Sequence, residues 1–327
     1  MLNKNRIFLI TILIVSFSQF AYAAANNDGT GINSQILWRT PGPSNFVSVE
    51  SSDVLPPLNV SFGTDVYYMN KIIGLRVNNK DYWTVNHLTG INFDWAVGFM
   101  NIFQLGFTIP VTLYQKGEGA SPIFIDKSES AAHKLNSSAI GDMRLHFKTR
   151  FIGNGAVDVD KRGLGLALDI AFSLPTGDED NFAGDKNMVF APALVLDMHH
   201  TPFSAGINVG ARLRSGEKAQ LADSTVGNQL SAAAGLTLHF LDEKILISME
   251  SNLLAEMDDF RRMGAELRGA LGTRAGSSKS VTIWLSGSAG MSNKDEPLMS
   301  VPKMRFSLGL TYVPGSSSDD EMDAFFE

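Results

Sequence analysis

Phe103-Gln-Leu-Gly-Phe-Thr-Ile-Pro-Val-Thr-Leu-Tyr114 alternates without a break. Phe103, Leu105, Phe107, Ile109, Val111 and Leu113 fall on one face, and Gln104, Gly106, Thr108, Pro110, Thr112 and Tyr114 on the other. A period of two marks a β-strand, because successive side chains point to opposite sides. Strands of soluble domains run to about five or six residues, whereas a tilted strand crossing a bilayer takes roughly 9–11. The length and the unbroken apolar face of this stretch fit the bilayer. The pattern recurs along the chain, so the fold expected is all-β, a transmembrane antiparallel up-and-down β-barrel.

The neighbouring segments follow the same rule. Leu58 to Tyr67 puts Leu58, Val60, Phe62 and Val66 on one face, and Leu88 to Phe99 puts Ile91, Phe93, Trp95, Val97 and Phe99 outward. Met100-Asn101 is a short turn of the kind that joins antiparallel neighbours. Gly141 to Phe151 is the most telling. Met143, Leu145, Phe147 and Phe151 alternate there with Asp142, Arg144, His146, Lys148 and Arg150. Such a row of ionisable groups meets neither lipid nor a dry core unpaired, so it faces a wet or salt-bridged interior. This favours a barrel lumen over a sandwich core.

Eight further strands read Gly163–Pro175, Val189–His199, Phe203–Arg214, Gln229–Phe240, Ile245–Leu254, Met263–Arg274, Val281–Met291 and Lys303–Val313, making about twelve in all. An even count returns both ends of the barrel to one side of the membrane. Links after strands 2, 6, 8 and 10 are short, while those after odd-numbered strands are mostly longer. Short periplasmic turns and long outer loops have this asymmetry, although the link Ile152 to Arg162 is long for a periplasmic turn. Aromatic residues near strand ends (Tyr67, Tyr68, Tyr82, Trp83, Phe99, Phe103, Tyr114, Phe151, Phe203, Phe240 and Tyr312) are placed for two interfacial girdles.

The ends of the chain carry separate signals. Residues 1–23 read as a secretory signal peptide: Lys4 and Arg6, an apolar run Ile7 to Phe20, and a small-x-small site at Ala21-Tyr22-Ala23. Its removal takes the formal net charge from −7 to −9. That acidic balance argues against nucleic acid as a partner. There is no Cys, hence no disulfide, no thiolate metal site and no Cys nucleophile. Residues 24–57 read as an N-terminal extension, periplasmic or folded into the lumen as a plug. The barrel is expected over 58–313, followed by an acidic Ser-rich tail over 314–327.

Asn92-Phe-Asp-Trp-Ala-Val-Gly-Phe-Met-Asn-Ile-Phe-Gln-Leu-Gly-Phe-Thr-Ile-Pro-Val-Thr-Leu-Tyr-Gln115, Ile140-Gly-Asp-Met-Arg144, Leu174-Pro-Thr-Gly-Asp178 and Ala265-Glu-Leu-Arg-Gly269 together resemble the barrel of certain OmpA-family outer-membrane proteins. They also resemble transporter-like proteins of the phenol-degradation (MetA-pathway) family. The likeness covers roughly residues 55 to 313. It implies the outer membrane of a Gram-negative bacterium, with lipid and the barrel-assembly machinery as partners. Many such proteins continue into a peptidoglycan-binding domain; this chain stops fourteen residues past the last strand, so wall binding is not carried over.

Alternation assigns the pore lining to Arg144, His146, Lys148, Arg150, Arg212, Arg214, Arg268, Arg274, Arg305, Asp94, Asp142, Asp169, Glu250 and Glu266. Asp65, Asp197, His199 and His239 fall on the same face. Two functions compete. One is a porin-like narrow pore passing small polar or anionic solutes along an Arg-rich wall. The other is a closed structural or surface-adhesive barrel, filled by Arg–carboxylate pairs. No cofactor is expected. Asp178-Glu-Asp-Asn-Phe-Ala-Gly-Asp185 is rich in oxygen ligands but lacks the EF-hand order. His199-His200 has no further ligand placed beside it. No metal is therefore assigned. No Gly-x-Ser-x-Gly elbow or base–nucleophile pair can be assembled, so no enzyme is expected, and a monomer is the default.

Overall fold

The computed structural model describes residues 31–39, 41–77, 80–120, 134–153, 163–216, 218–221, 224–276, 279–292 and 301–314. The signal-peptide segment 1–23, the start of the extension and the tail beyond 314 lie outside them. Twelve strands form the wall: β1 Val60–Val77, β2 Lys80–Phe99, β3 Phe103–Lys116, β4 Arg144–Ile152, β5 Gly163–Ser173 and β6 Val189–His200. They continue as β7 Phe203–Arg214, β8 Gln229–Phe240, β9 Ile245–Glu256, β10 Met263–Ala275, β11 Val281–Ser292 and β12 Met304–Tyr312. Each pairs antiparallel with its sequence neighbours, and β1 pairs with β12 from Phe62 opposite Tyr312 to Asn70 opposite Met304. The ring is closed. Closure pairs the ring on both sides of every strand; beyond Asn70 and before His87, β1 and β2 ladder with each other alone.

The alternation read from the sequence becomes the two faces of this wall. Along β12 every second residue is buried, and along β9 the same pattern holds from Ile245 to Ser251. Outward Leu194, Ile207, Met249, Leu267, Leu285, Phe306 and Leu308 are exposed, forming an apolar belt of a size that water would not tolerate. Phe99, Tyr114, Phe151, Phe240 and Tyr312 are exposed near strand ends, and Tyr68 is exposed midway along β1. Tyr67 departs from the girdle expectation. It is 3% exposed and faces inward, because its neighbour Val66 takes the lipid face.

The first two strands are longer than their sequence pattern. β1 was expected to end at Tyr67 and β2 to begin at Leu88, yet their ladder continues to Val77 opposite Lys80. The register shifts between Asn70 and Ile73, and consecutive Ile72 and Ile73 are both buried. A bulge of this kind bends the strand and breaks the period of two, which is why alternation stops short of it. The long link expected after strand 1 is therefore a continuous hairpin. Its inner face packs Tyr67, Met69, Ile73 and Leu88 against Phe182 and Ile32 at the long-loop end. The strand expected from Gly141 begins instead at Arg144, after a two-residue strand Ala139–Ile140 that also pairs with β3.

Candidate functional site

Residues 31–57 run inside the barrel. From Ile32, in the apolar cluster at the long-loop end, the chain passes β4 and β7. There Arg144 Nη2 donates to Gln35 Oε1 at 2.9 Å, and Arg212 donates to the Ile36 carbonyl. At the short-turn end Gln104 Nε2 donates to the Pro41 carbonyl at 2.7 Å, and Thr237 Oγ1 to the Asn45 carbonyl at 2.8 Å. The chain then turns back into the lumen. Glu250 accepts the backbone N–H groups of Val47, Ser48 and Val49 at 2.7, 2.6 and 3.2 Å. Asn208 Oδ1 accepts the N–H of Glu50 at 2.7 Å. Asp197 accepts from Ser51 and from both the N–H and hydroxyl of Ser52 at 2.6–2.9 Å. Phe46 lies flat against Gly206 and Gly235, where an added Cβ would come within 3.0 Å of its ring. The segment joins the wall again through Pro57, which bridges to Gly98.

Of the residues assigned to the lumen by alternation, Asp94, Asp142, Arg144, His146, Lys148, Arg150, Asp169, Arg212, Glu250, Glu266, Arg268 and Arg305 are buried. The side chains of Arg214 and Arg274 are 10% and 12% exposed. The structure brings them together in three groups. Glu266 sits between Arg268 at 3.0 Å and Arg305 at 3.3 Å. Asp169 faces His146 Nδ1 at 3.2 Å, and Lys148 donates to the Ser51 carbonyl at 2.7 Å with Glu50 3.7 Å away. Arg144 and Arg212 stack on the Trp38 ring, 5.3 and 4.4 Å from its centroid. Among the described residues, neither has a carboxylate within 4 Å, and Trp38 separates their charges through its π face.

Sequence reasoning missed Asp185, Glu243 and Glu256, which are buried acids outside the alternating stretches or at their ends. Asp185 pairs with Arg214 at 3.2 Å. Glu256 accepts from the Gly227 N–H at 2.9 Å and from Gln229 at 2.8 Å. Glu243, in the turn after β8, faces Arg274 at 2.9 Å and His199 at 3.1 Å. Burial alone would raise the Glu243 carboxyl, but the His199 hydrogen bond and the Arg274 charge outweigh it and hold it below its ordinary value. Ser204 links the two imidazoles, 2.6 Å from His199 and 2.8 Å from His239. Arg274 reaches from this cluster to Asn45 Oδ1 at 2.5 Å, so it fastens the inner segment at the short-turn end.

Asp142 does the corresponding work at the other end. Its carboxylate accepts the N–H groups of Gly177 at 2.8 Å and Asp185 at 2.7 Å, holding the loop 174–188 over the lumen. The acids of that loop serve as structure: Asp178 caps a 3-10 turn at Glu179–Asn181, and Asp185 pairs with Arg214. Among the described residues, no three His, Asp or Glu side chains are arranged so that they could hold a metal ion. Burial, then the charge of Asp185, pushes the Asp142 carboxyl up to about 7. With its unfolded value near the ordinary carboxylate range of roughly 3.9, the folded loop binds this proton more tightly. Its contribution is thus complete at low pH and is lost as pH rises through about 7. Amide protection factors of residues 174–188, each rate referred to the base-catalysed intrinsic rate at that pH, should be higher at pH 5 than at pH 8. Asp142→Asn should flatten that difference, and an unchanged profile in the variant would contradict this role.

The inner segment leaves polar cavities beside it. One of about 100 Å³ is lined by Trp38, Glu50, His146, Asp169, Asn208, Arg212 and Asn252, among others. Smaller ones of about 30 Å³ lie near Asp53, Asp197 and His199, and near Arg39, Arg268 and Arg305. Volumes of this size are large enough to admit water.

No family model matches the chain, and no curated protein matches it. The OmpA-like and phenol-degradation resemblances therefore rest on the quoted motifs alone. Among solved structures, an outer-membrane channel from Pseudomonas putida F1 aligns with a TM-score of 0.57 at 12% identity, over 82% of this chain and 100% of its own. The NanC porin aligns with a TM-score of 0.47 at 10% identity, over 77% of this chain and 98% of its own. The first likeness supports the fold.

Proposed function

We propose that the protein is an outer-membrane channel for small polar or anionic solutes, with residues 31–57 as its plug. The observation that carries this is the chemistry of the contact between plug and wall. Arg144, Lys148, Arg212, Arg274 and Glu250 hold the segment through backbone N–H and C=O groups and neutral side-chain oxygens. Each such hydrogen bond to a charged group is worth about 1.5–3 kcal/mol net, and water entering the lumen can replace the partner in every one. Apolar contacts of Ile36 with Leu254 and of Val47 with Leu246 and Trp284 must separate along with them. The cavities beside the plug supply the first of that water.

In this reading residues 1–23 direct export, residues 58–313 span the Gram-negative outer membrane, and lipid and the assembly machinery are the obligate partners. Full-length protein in a planar bilayer opens in brief discrete steps. Arg144 and Arg212 set a preference for anions in the half of the lumen nearer the long loops. The doubly charge-reversed Arg144→Glu/Arg212→Glu protein should shift its reversal potential in a salt gradient toward cations. An unshifted potential, in a barrel that still conducts, would remove these residues from the path. The closed structural barrel is the second reading, favoured by the Glu266–Arg268–Arg305 network. A folded barrel with no openings in any form would establish it.

A further inference from the structure

We infer that His199, Ser204, His239 and Glu243 form a proton-operated latch, which frees the inner segment at the short-turn end on acidification. The four side chains lie in series. Glu243 Oε1 is 3.1 Å from His199 Nε2, His199 Nδ1 is 2.6 Å from Ser204 Oγ, and Ser204 Oγ is 2.8 Å from His239 Nε2. A carboxylate only accepts, so His199 Nε2 carries a proton. With both imidazoles neutral, His199 Nδ1 accepts from the Ser204 hydroxyl, and His239 Nε2 donates to that oxygen. One position is left empty, His239 Nδ1. It is buried with no hydrogen-bond partner and lies 4.0 Å from Glu243 Oε2. An added proton fills it by either route. If His239 takes the charge, Nδ1 is protonated directly. If His199 takes it, the Ser204 hydroxyl turns to His239 Nε2, and the neutral His239 carries its proton on Nδ1.

The filled position acts on the clasp that holds Asn45. Arg274 Nη1 donates to Glu243 Oε2 at 2.9 Å and its Nη2 to Asn45 Oδ1 at 2.5 Å. A new N–H on His239 draws Glu243 Oε2 toward itself, and the cluster gains one positive charge. That gain is the same whatever the starting balance, to which Lys279 beside His239 and Asp53 near Arg274 contribute. Asp197 lines the small cavity shared with Asn45, Asp53, His199 and Ser204. The His239 side chain is fully buried and that of Arg274 is 12% exposed, so Arg274 is the cation that turns out to water. Once it has left, Glu243 pairs with imidazole alone, and the released state binds the proton more tightly. The latch therefore holds at neutral pH and gives way as pH falls through the imidazole range. The latch does not depend on transport; only its effect on conductance rests on the channel reading.

The test uses the full chain with a nitroxide on Pro43→Cys, two residues before Asn45. Acidification from about pH 8 to about pH 5, either side of the ordinary imidazole value, should at least double the mobile fraction of its spectrum, reversibly. A label on Leu37→Cys, further into the lumen, should not respond. His239→Gln keeps a donor for Ser204 but has no proton to gain, and should hold the Pro43 label immobile at both pH values. Glu243→Gln should leave it mobile at both. Nitrogen-15 NMR of the native histidines is the second readout, with His239 expected as the Nε2–H tautomer at about pH 8. The Nδ1–H tautomer there, or an acid response equal in the native protein and His239→Gln, would overturn the proposal. Bilayer openings indifferent to acid while the label is released would count against the channel reading instead.

Discussion

Deleting residues 31–55 should turn a barrel that opens only briefly into one that conducts continuously, with steps larger by on the order of tenfold for a lumen of twelve strands. The wall should survive the deletion. Its strands are joined all round by antiparallel ladders, including β1 to β12, and none of these bonds involves the inner segment. Among the groups that lose partners are Glu250, Asp197, Asn208, Arg144, Lys148, Arg212, Arg274, Gln104, Thr237 and Asn252. In a dry core, stranding them would cost about 1–3 kcal/mol each or more. In an emptied lumen water enters and takes over each bond, so the charges are rehydrated instead of orphaned. Planar-bilayer recording of the refolded variant checks this. A heat-modifiable, folded variant that stays silent would mean that the outer apolar cluster around Met69, Ile73 and Phe182 seals the barrel without the segment.

Leu194→Arg should be the most damaging single substitution. Leu194 lies midway along β6 and is 51% exposed on the outward face. Its partners across the ladder are Leu168 on β5 and Val209 on β7, so no acid on this face is close enough to neutralise a guanidinium. A lipid-facing Arg at mid-depth costs roughly 2–4 kcal/mol, which is a large share of the stability of an ordinary fold, about 5–15 kcal/mol. The expected result is loss of the heat-modifiable band and a lowered urea midpoint, with Leu194→Ala close to native. The inward Asn208, one residue from Val209, bonded to Glu50 and lining the polar cavity beside Trp38, should accept the same change of charge with a much smaller loss. Equal behaviour of Leu194→Arg and Asn208→Arg would count against the membrane-facing belt.

The wall was legible because one physical rule governs it. A strand that separates lipid from a polar interior must alternate, and β12 obeys that rule throughout, β3 as far as Leu113, β4 as far as Phe151 and β9 as far as Ser251. The charged face of β4 was decisive, since Arg144, His146, Lys148 and Arg150 have no place on the lipid side. The rule fails where the backbone departs from regular pairing. The bulge after Asn70 puts Ile72 and Ile73 on the same side of the problem, and β1 and β2 continue past the point where alternation stops. Asp185 and Glu243 escaped for a related reason: they sit in a loop and a turn, where no period assigns a face.

The inner segment was illegible for a deeper reason. Its polar anchors are largely backbone groups, such as the three N–H groups on Glu250 and the carbonyls of Ile36, Pro41, Asn45 and Ser51, beside the apolar contacts of Ile36 and Val47. Every residue type except proline carries both kinds of group, so such contacts leave no compositional trace. The one signal was indirect. Inward acids such as Glu250 and Asp197 have no basic partner in register beside them on at least one ladder, and a buried carboxylate without a cation needs N–H donors from elsewhere.

The central claim is that solute passage requires movement of residues 31–57, and a reversible tether tests it most directly. Ser48 Oγ accepts from Asn252 Nδ2 at 2.8 Å, and the chain contains no Cys, so Ser48→Cys/Asn252→Cys offers a single disulfide between segment and wall. Single-channel recording of this variant should show no openings while the bond is formed and a return of native steps after reduction. Openings of equal size and frequency with the bond intact would contradict the account.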